Sequence, residues 1–227
     1  AMSDDTLGWI LVCANFIIVL LILSLELFRR MLSIFSGVRH GIAYVENTET
    51  VCPLTDIVTY EGQYRKAGQE EISAAVNVFP LHKYPDAQLV HDKIQAMGTQ
   101  PQISQVYGTE VERGLLYVAT TPVQSTLDVH IKKFHTCPIS ATEFCTSLIQ
   151  GLKAVHDQSI AIRNIRPENI SLVNGFQVQL ADFSKARAVD EETATGATDV
   201  NLDKQMLACT ILYTLSGGMD GDGKSLN

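Results

Sequence analysis

The feature that most constrains this chain is a long apolar run near its beginning, LGWILVCANFIIVLLILSLELF, at residues 7–28. As an α-helix this run would be about 30 Å long, which matches the hydrocarbon thickness of a bilayer. A cleaved signal peptide is disfavoured, because Asp4 and Asp5 stand where such a peptide carries basic residues. The run therefore predicts a single-pass transmembrane anchor within residues 1–36.

The charges around the apolar run predict its orientation. Arg29 and Arg30 follow it directly, whereas the residues before it are acidic. Because basic flanks stay on the cytosolic or matrix side, we expect the rest of the chain on the cytosolic face, or on the matrix face of a mitochondrial membrane. The segment 37–55 has no clear period and contains Pro53, so we read it as a juxtamembrane linker or a peripheral strand.

Composition narrows the classes of partner. The formal net charge is −8, and no basic stretch of the kind that binds nucleic acid stands out, so we expect no nucleic-acid partner. The five cysteines are scattered without a CxxC pair, which predicts reduced core thiols rather than disulfides. His135 and Cys137 are too few to hold zinc, so no metal site is predicted.

Beyond residue 56, β-prone runs come first and helical patterns follow. Strands are predicted at 56–60, 71–81, 102–108, 114–121, 170–173 and 176–181. Helices are predicted at 85–97, 125–134, 139–157 and 202–218, the third with a capping box from Ser140 to Glu143. This order predicts an α+β domain of two lobes, a β-rich one at 56–122 and an α-rich one at 123–218, followed by a tail at 219–227.

Several short motifs, taken in order, resemble those of the eukaryotic protein-kinase fold. IRNIRPEN at 162–169 resembles the catalytic loop H-R-D-L-K-P-E-N, and LADFSKA at 180–186 stands where that family has its D-F-G triad. AVNVFP at 75–80 resembles the lysine-bearing third strand, and the helix that opens at Asp203 resembles the buried helix of the large lobe. The resemblance implies a bilobal kinase-like domain from about residue 56 to 218, with a truncated C-terminal lobe.

The same motifs lack the groups that phosphoryl transfer needs in that family. Asn164 replaces the aspartate that accepts the substrate's proton, and an amide cannot hold a proton near neutral pH. Asn77 replaces the phosphate-binding lysine, and Ser184 replaces the glycine of the triad. The resemblance places the acidic partner of that lysine near His91 or Asp92, and we expect His91 to be an exposed helix residue.

The phosphate-binding loop is also depleted. Gly62 is the one glycine available to it, with Ile57 and Thr59 at the other two glycine positions, so side chains would crowd the phosphate site. Asn169 and Asp182 survive at the metal-binding positions. They leave two readings open: they bind ATP with magnesium, or they are hydrogen-bonding struts of the loop. Lys66 is the one alternative lysine for an atypical active kinase.

Only 20 residues separate Asp182 from Asp203, and nothing in them resembles the A-P-E anchor of the family. Within this segment the acidic, small-residue stretch 190–199 predicts a solvated loop, which leaves little room for a peptide substrate. The sequence therefore predicts a catalytically inactive, membrane-anchored scaffold or accessory subunit of a larger membrane complex, for example a mitochondrial respiratory or ATP-synthase assembly. The alternative is a nucleotide-switched or atypical active kinase that uses Lys66 and Asp182.

Overall fold

The structure is a computed structural model that describes residues 41–45, 48–51, 57–66, 68–190 and 192–218. The predicted transmembrane segment 7–28 and the tail 219–227 lie outside the described residues. Among the described residues, no helix is long and apolar enough to cross a bilayer. The described chain is a mixed α+β fold whose first part is a β-sheet with one helix and whose second part is mostly helical.

An antiparallel sheet forms the first part. Its strands are β1 (Ile42–Tyr44), β2 (Thr50–Val51), β3 (Val58–Tyr64), β4 (Ile72–Pro80), β5 (Val106–Glu112) and β6 (Leu115–Thr120). They are ordered β1-β3-β4-β6-β5, and β2 also pairs with β3. The sheet thus begins inside 37–55. Of the two readings of that segment, a linker or a peripheral strand, the structure supports the strand.

The hairpin between β5 and β6 is tighter than predicted. The strands predicted at 102–108 and 114–121 leave a five-residue connection, but Thr109 to Glu112 extend β5 instead. The turn is made by Arg113 and Gly114 alone, both with positive φ, at 49° and 79°. Two successive residues of positive φ are typical of the two-residue hairpin turns whose twist matches that of the flanking strands.

The remaining elements surround the sheet's inner face. The helices are α1 (Ala87–Ala96), α2 (Leu127–Phe134), α3 (Ala141–His156) and α4 (Ala194–Leu215), with a short 3-10 helix at Pro167–Asn169. The short strands β7 (Ser125–Thr126), β9 (Ile170–Val173) and β10 (Gln177–Leu180) form one sheet, and β8 (Ile160–Ala161) pairs with β11 (Arg187–Ala188). The four helices correspond to the four predicted ones.

Local capping explains where the helices begin. The Ser140 hydroxyl accepts a hydrogen bond from the Glu143 amide at 3.2 Å, as the sequence predicted for α3. The α4 helix begins at Ala194 rather than at residue 202, so the expected solvated loop 190–199 is partly helical. Its cap is Thr193, whose hydroxyl accepts from the Gly196 amide at 3.0 Å. At Gly196 a Cβ would lie 1.8 Å from the Asp190 carbonyl oxygen, so only glycine permits this turn.

One apolar core joins the sheet to the helices. It runs from Phe79 and Leu116 on the sheet, through α1, to Phe144 and Leu148 on α3. The α4 helix buries one face only, because Leu212 is 68% exposed although Asp203 is fully buried. It is therefore not the wholly buried helix that the sequence predicted. Cys209 on the same helix is exposed as well, which departs from the expectation of core thiols.

Candidate active site

A cavity of about 680 Å³ lies between the sheet and the loop that follows β8. The sheet contributes Thr59 and Asn77, α1 contributes His91, the short 3-10 helix contributes Asn169, and the segment after β10 contributes Asp182. Four of the six residues singled out as site candidates line the cavity: Asn77, Asn169, Asp182 and Ser184. The other two, Asn164 and Lys66, do not line it.

Asn77 has its hydrogen bonds satisfied by neighbouring strands. The Thr59 hydroxyl donates to Asn77 Oδ1 at 2.7 Å, and Asn77 Nδ2 donates to Thr120 Oγ1 at 3.2 Å. These three residues lie on β3, β4 and β6, where the strand registers pair Asn77 with Thr59 and place Thr120 opposite Ala75, two positions from Asn77. A neutral amide held by two hydroxyls supplies no positive charge to the cavity at this position.

His91 is buried rather than exposed, which corrects the expectation from the sequence. Only 3% of the residue is exposed, and Nδ1 lies 2.7 Å from the Ala87 carbonyl oxygen, so Nδ1 carries the donated proton. Burial lowers the pKa of His91 below its ordinary value, although the nearby charges of Asp182 and Asp92 partly oppose this. The sequence signal was its spacing: His91 stands four residues after Ala87 and one after Val90, both of which face the core.

Asp182 is held by the loop that contains the replaced catalytic position. Asn164 Nδ2 donates to Asp182 Oδ2 at 2.7 Å, and the Ser184 amide donates to Oδ1 at 2.8 Å. Asn169 in turn donates from Nδ2 to the Asn164 carbonyl oxygen at 3.0 Å. Asn164, Asn169 and Asp182 thus form one hydrogen-bonded unit, which is the arrangement expected of structural struts. The Asp182 carboxylate lines the cavity and keeps lone pairs beyond the two hydrogen bonds that it accepts.

Asp203 on α4 holds the same loop in place through hydrogen bonds to its backbone. Its carboxylate accepts from the backbone amides of Ile162 and Arg163 at 2.7 and 2.6 Å, and it lies 2.9 Å from His156 Nε2. Arg163 adopts a positive φ of 61°, a backbone conformation that this pair of hydrogen bonds supports. Sequence reasoning identified Asp203 from its motif but missed His156, whose role depends on the packing of α3 against α4.

Of the three positions assigned to the phosphate-binding loop, Ile57 and Thr59 line the cavity as expected, whereas Gly62 does not. Gly62 is in the middle of β3, paired with Tyr44 and Ala74, and therefore not in a loop. Ile57 is buried in the core. Lys66 follows the far end of β3 and is exposed, and six residues of largely extended chain separate it from Thr59 by about 20 Å. The alternative that Lys66 reaches the cavity is not supported by this position.

The charges that line the cavity have one sign. Its lining includes the carboxylates of Glu61, Glu168 and Asp182, and no lysine or arginine among the residues that the structure describes. Ser184 also lines the cavity; it is 6% exposed, and its Oγ has no hydrogen-bond partner in the described part of the chain. The described residues contain no cluster of three or more metal-ligating side chains.

Comparison with known proteins gives partial similarities to protein kinases. The chain is 33% identical over 92 residues to mitogen-activated protein kinase kinase kinase 1b of Physcomitrium patens, a match that covers 40% of this chain and 12% of that protein. It is 32% identical over 68 residues to serine/threonine-protein kinase pkn2 of Myxococcus xanthus, covering 29% of this chain and 8% of that protein. No protein-family model matches the chain.

A third similarity, 30% identity over 63 residues to serine/threonine-protein kinase PKH2 of Candida albicans, covers 27% of this chain and 7% of that protein. The matched stretches are thus small fractions of these kinases. Together with the mixed α+β architecture, they support a kinase-like fold for the described part of the chain.

Proposed function

We propose that this protein is a catalytically inactive, kinase-like membrane protein that serves as a scaffold or accessory subunit of a larger membrane complex. The observation that carries the proposal is the amide of Asn164, which stands at the proton-accepting position and donates to Asp182. Proton transfer from a substrate hydroxyl needs a base at that position, and an amide cannot act as one near neutral pH.

Charge around the cavity supports the loss of phosphoryl transfer. The transition state carries negative charge that cations must neutralise, and the described cavity lining offers three carboxylates with no lysine or arginine. Asn77, held by two threonine hydroxyls, stands at the position where a lysine is expected by resemblance. Both changes act in the same direction, so restoring one alone is not expected to restore transfer.

The membrane part of the proposal depends on the apolar run 7–28 and the arginines that follow it. The partner is the lipid bilayer together with other protein subunits, and a mitochondrial respiratory or ATP-synthase assembly is one candidate. Leu212 and Leu215 on α4 are 68% and 46% exposed, one turn apart on the same helix. Exposed apolar side chains of this kind support a protein interface.

A phosphotransfer assay tests the inactive state. The full chain, purified in mild detergent, is incubated with γ-labelled ATP, magnesium and a general protein substrate. No label transfer above background is expected. The double variant Asn77→Lys with Asn164→Asp, assayed in the same way, tests whether the fold still permits catalysis. Label transfer by the wild type that disappears in Asp182→Asn would instead support the alternative of an atypical active kinase.

Extraction and co-purification test the scaffold role. The protein is expected to resist alkaline extraction from membranes and to elute in mild detergent as part of an assembly with fixed companion chains. Substitution of Leu212 and Leu215 by serine is expected to weaken that assembly without releasing the protein from the membrane. A clean monomer in mild detergent, or release by alkali, would contradict the proposal.

A further inference from the structure

The cavity has two chemically different ends. Ala75 pairs with Thr120, close to Pro122 and Val123 on the connection that leaves β6. Farther along β4, Asn77 lies in the lining with His91 and Asp182. A ligand in this cavity would therefore meet Ala75, Pro122 and Val123 beside the Glu61 carboxylate at one end, and the acidic, hydrogen-bonding group of Asp182 at the other.

The polar end offers mainly acceptors. The Asp182 carboxylate keeps lone pairs beyond the two hydrogen bonds that it accepts. His91 is neutral and donates from Nδ1 to Ala87, which leaves Nε2 as an acceptor. Glu168 adds a second carboxylate to the lining. A ligand group that satisfies such a set must be rich in donors, which describes a protonated amine and excludes a phosphate.

The sequence around the sheet edge strengthens this charge bias. The described residues from Gly41 to Tyr64 include no lysine or arginine, whereas they include Glu49 and Glu61. The strands β2 and β3, which belong to this stretch, contribute Thr50, Thr59 and Glu61 to the lining. Since like charges repel strongly in a cavity with low-dielectric walls, a polyanion is disfavoured there.

A buried group without a partner provides a second observation. The Ser184 hydroxyl is buried and has no hydrogen-bond partner among the described residues, although Ser184 lines the cavity. Such a group is unfavourable unless something binds it. It can accept from the same amine that Asp182 would hold, because the two residues are two positions apart on one turn.

We propose that this cavity binds a small organic cation, with a flat apolar part toward Ala75 and Val123 and a protonated amine toward Asp182 and Glu168, and that it rejects nucleoside triphosphates. The inference concerns the same cavity as the proposed function, and it rests on the proposed function in that respect alone. It gives that site a ligand class of its own.

Three adenine compounds that differ in charge test the inference by titration calorimetry on the full chain in mild detergent. They are 5′-amino-5′-deoxyadenosine, adenosine and ATP, the last with and without magnesium. We expect the amine to bind about tenfold more tightly than adenosine at low salt, with this ratio shrinking as salt is added. We expect no measurable binding of ATP in either condition.

Variants test whether the carboxylates of Glu168 and Asp182 cause the preference for the amine over adenosine. Glu168→Gln and Asp182→Asn are each expected to reduce the ratio of amine to adenosine affinity several-fold, whereas Asp157→Asn, which removes an exposed carboxylate on α3, should leave it unchanged. Asn77→Lys is expected to weaken binding of the amine and to permit binding of ATP. Should Asp182→Asn fail to fold, Glu168→Gln, at an exposed position of the 3-10 helix, still decides.

Three results would overturn the inference: no binding by any of the compounds, binding of ATP as tight as that of the amine, or a preference for the amine that neither acidic variant changes. These results are separate from the phosphotransfer assay. An inactive protein that binds none of the compounds would remain a scaffold without this ligand, and an active one would refute the proposed function on its own.

Discussion

The protonation of His91 depends on whether the protein is folded. Its ring packs against Phe79, with centroids 4.9 Å apart, and burial lowers its pKa. In the unfolded chain the pKa returns to about 6.5. The unfolded state therefore binds a proton at a higher pH than the folded state. Stability from this group is complete above about pH 6.5 and is lost as pH falls from there toward the lowered pKa of the folded state.

Replacement of His91 by asparagine is expected to remove this part of the acid sensitivity. The asparagine amide nitrogen can still donate to the Ala87 carbonyl oxygen, but it does not titrate. Between neutral pH and about pH 5 the variant should lose less of its free energy of unfolding than the wild type, as measured by urea denaturation across that range. The matched change His82→Asn, at an exposed residue, should leave the wild-type slope unchanged. Equal slopes for wild type and His91→Asn would contradict this account.

At the scale of elements, one carboxylate connects α4 to the central loop. Asp203 is fully buried and accepts hydrogen bonds from the backbone amides of Ile162 and Arg163, with His156 beside it. Removal of the carboxylate leaves two backbone donors without partners. This makes Asp203 a structural residue whose loss should affect folding before it affects any ligand.

Asp203→Ala is expected to lower the free energy of unfolding by about 3 kcal/mol or more, since buried donors left unpaired cost about 1–3 kcal/mol each. Asp203→Asn keeps one acceptor and should cost less. The comparison variant is Asp199→Ala, which removes a buried carboxylate paired with Arg163 at 3.1 Å. It should cost less than Asp203→Ala, because the Arg163 side chain that loses its partner is 28% exposed and can be hydrated. Urea denaturation of the three variants measures the order. A cost for Asp203→Ala no larger than that for Asp199→Ala would refute the role assigned to the buried carboxylate.

The pairing of β1 with β3 depends on the absence of a side chain at Gly62. A Cβ at this position would lie 2.3 Å from the Ala43 carbonyl oxygen and 2.7 Å from Val76 Cγ2. Gly62→Ala is therefore expected to displace β1 and to cost about 2 kcal/mol, whereas the adjacent exposed change Gln63→Ala should be nearly neutral. Amide exchange of β1 measures the displacement. Unchanged protection of Ala43 in Gly62→Ala would show that the strand tolerates the methyl group.

Most elements could be predicted from the sequence because their signals are local. The β4 strand has β-branched residues bounded by Pro80, and α3 has both an apolar stripe and its Ser140 cap. The start of α4 could not, because its first turns are made of small residues and depend on the approach of Gly196 to the Asp190 carbonyl. The burial of His91 was missed for a similar reason: it is set by contact with Phe79, which is distant along the chain.

At the scale of the whole molecule, the segment 101–104 is one place where hydrogen bonds connect the sheet to the helical part. The Ser104 amide donates to the Leu180 carbonyl at 2.8 Å, and the Leu180 amide donates to the Gln102 carbonyl at 2.9 Å. Gln177 and Gln179 both donate from their side chains to the Pro101 carbonyl. Because the apolar core is also continuous across this junction, we expect the described domain to unfold in one cooperative transition.

The junction has little space to spare at Gly151 on α3. A Cβ there would lie 3.1 Å from the Gln102 carbonyl oxygen and 3.3 Å from Leu180 Cδ1. Gly151→Leu is therefore expected to push the segment around Gln102 away from α3 and to cost about 2 kcal/mol, despite the better helix propensity of leucine. The Ser104 and Leu180 amides, which donate across the junction, should then exchange with solvent well before global unfolding, as followed by hydrogen exchange. Thr146→Leu, at an exposed position of the same helix, is the matched control and should leave both amides protected. If both amides keep wild-type protection in Gly151→Leu, the segment around Gln102 accommodates the larger side chain, and the close approach at Gly151 does not control the junction.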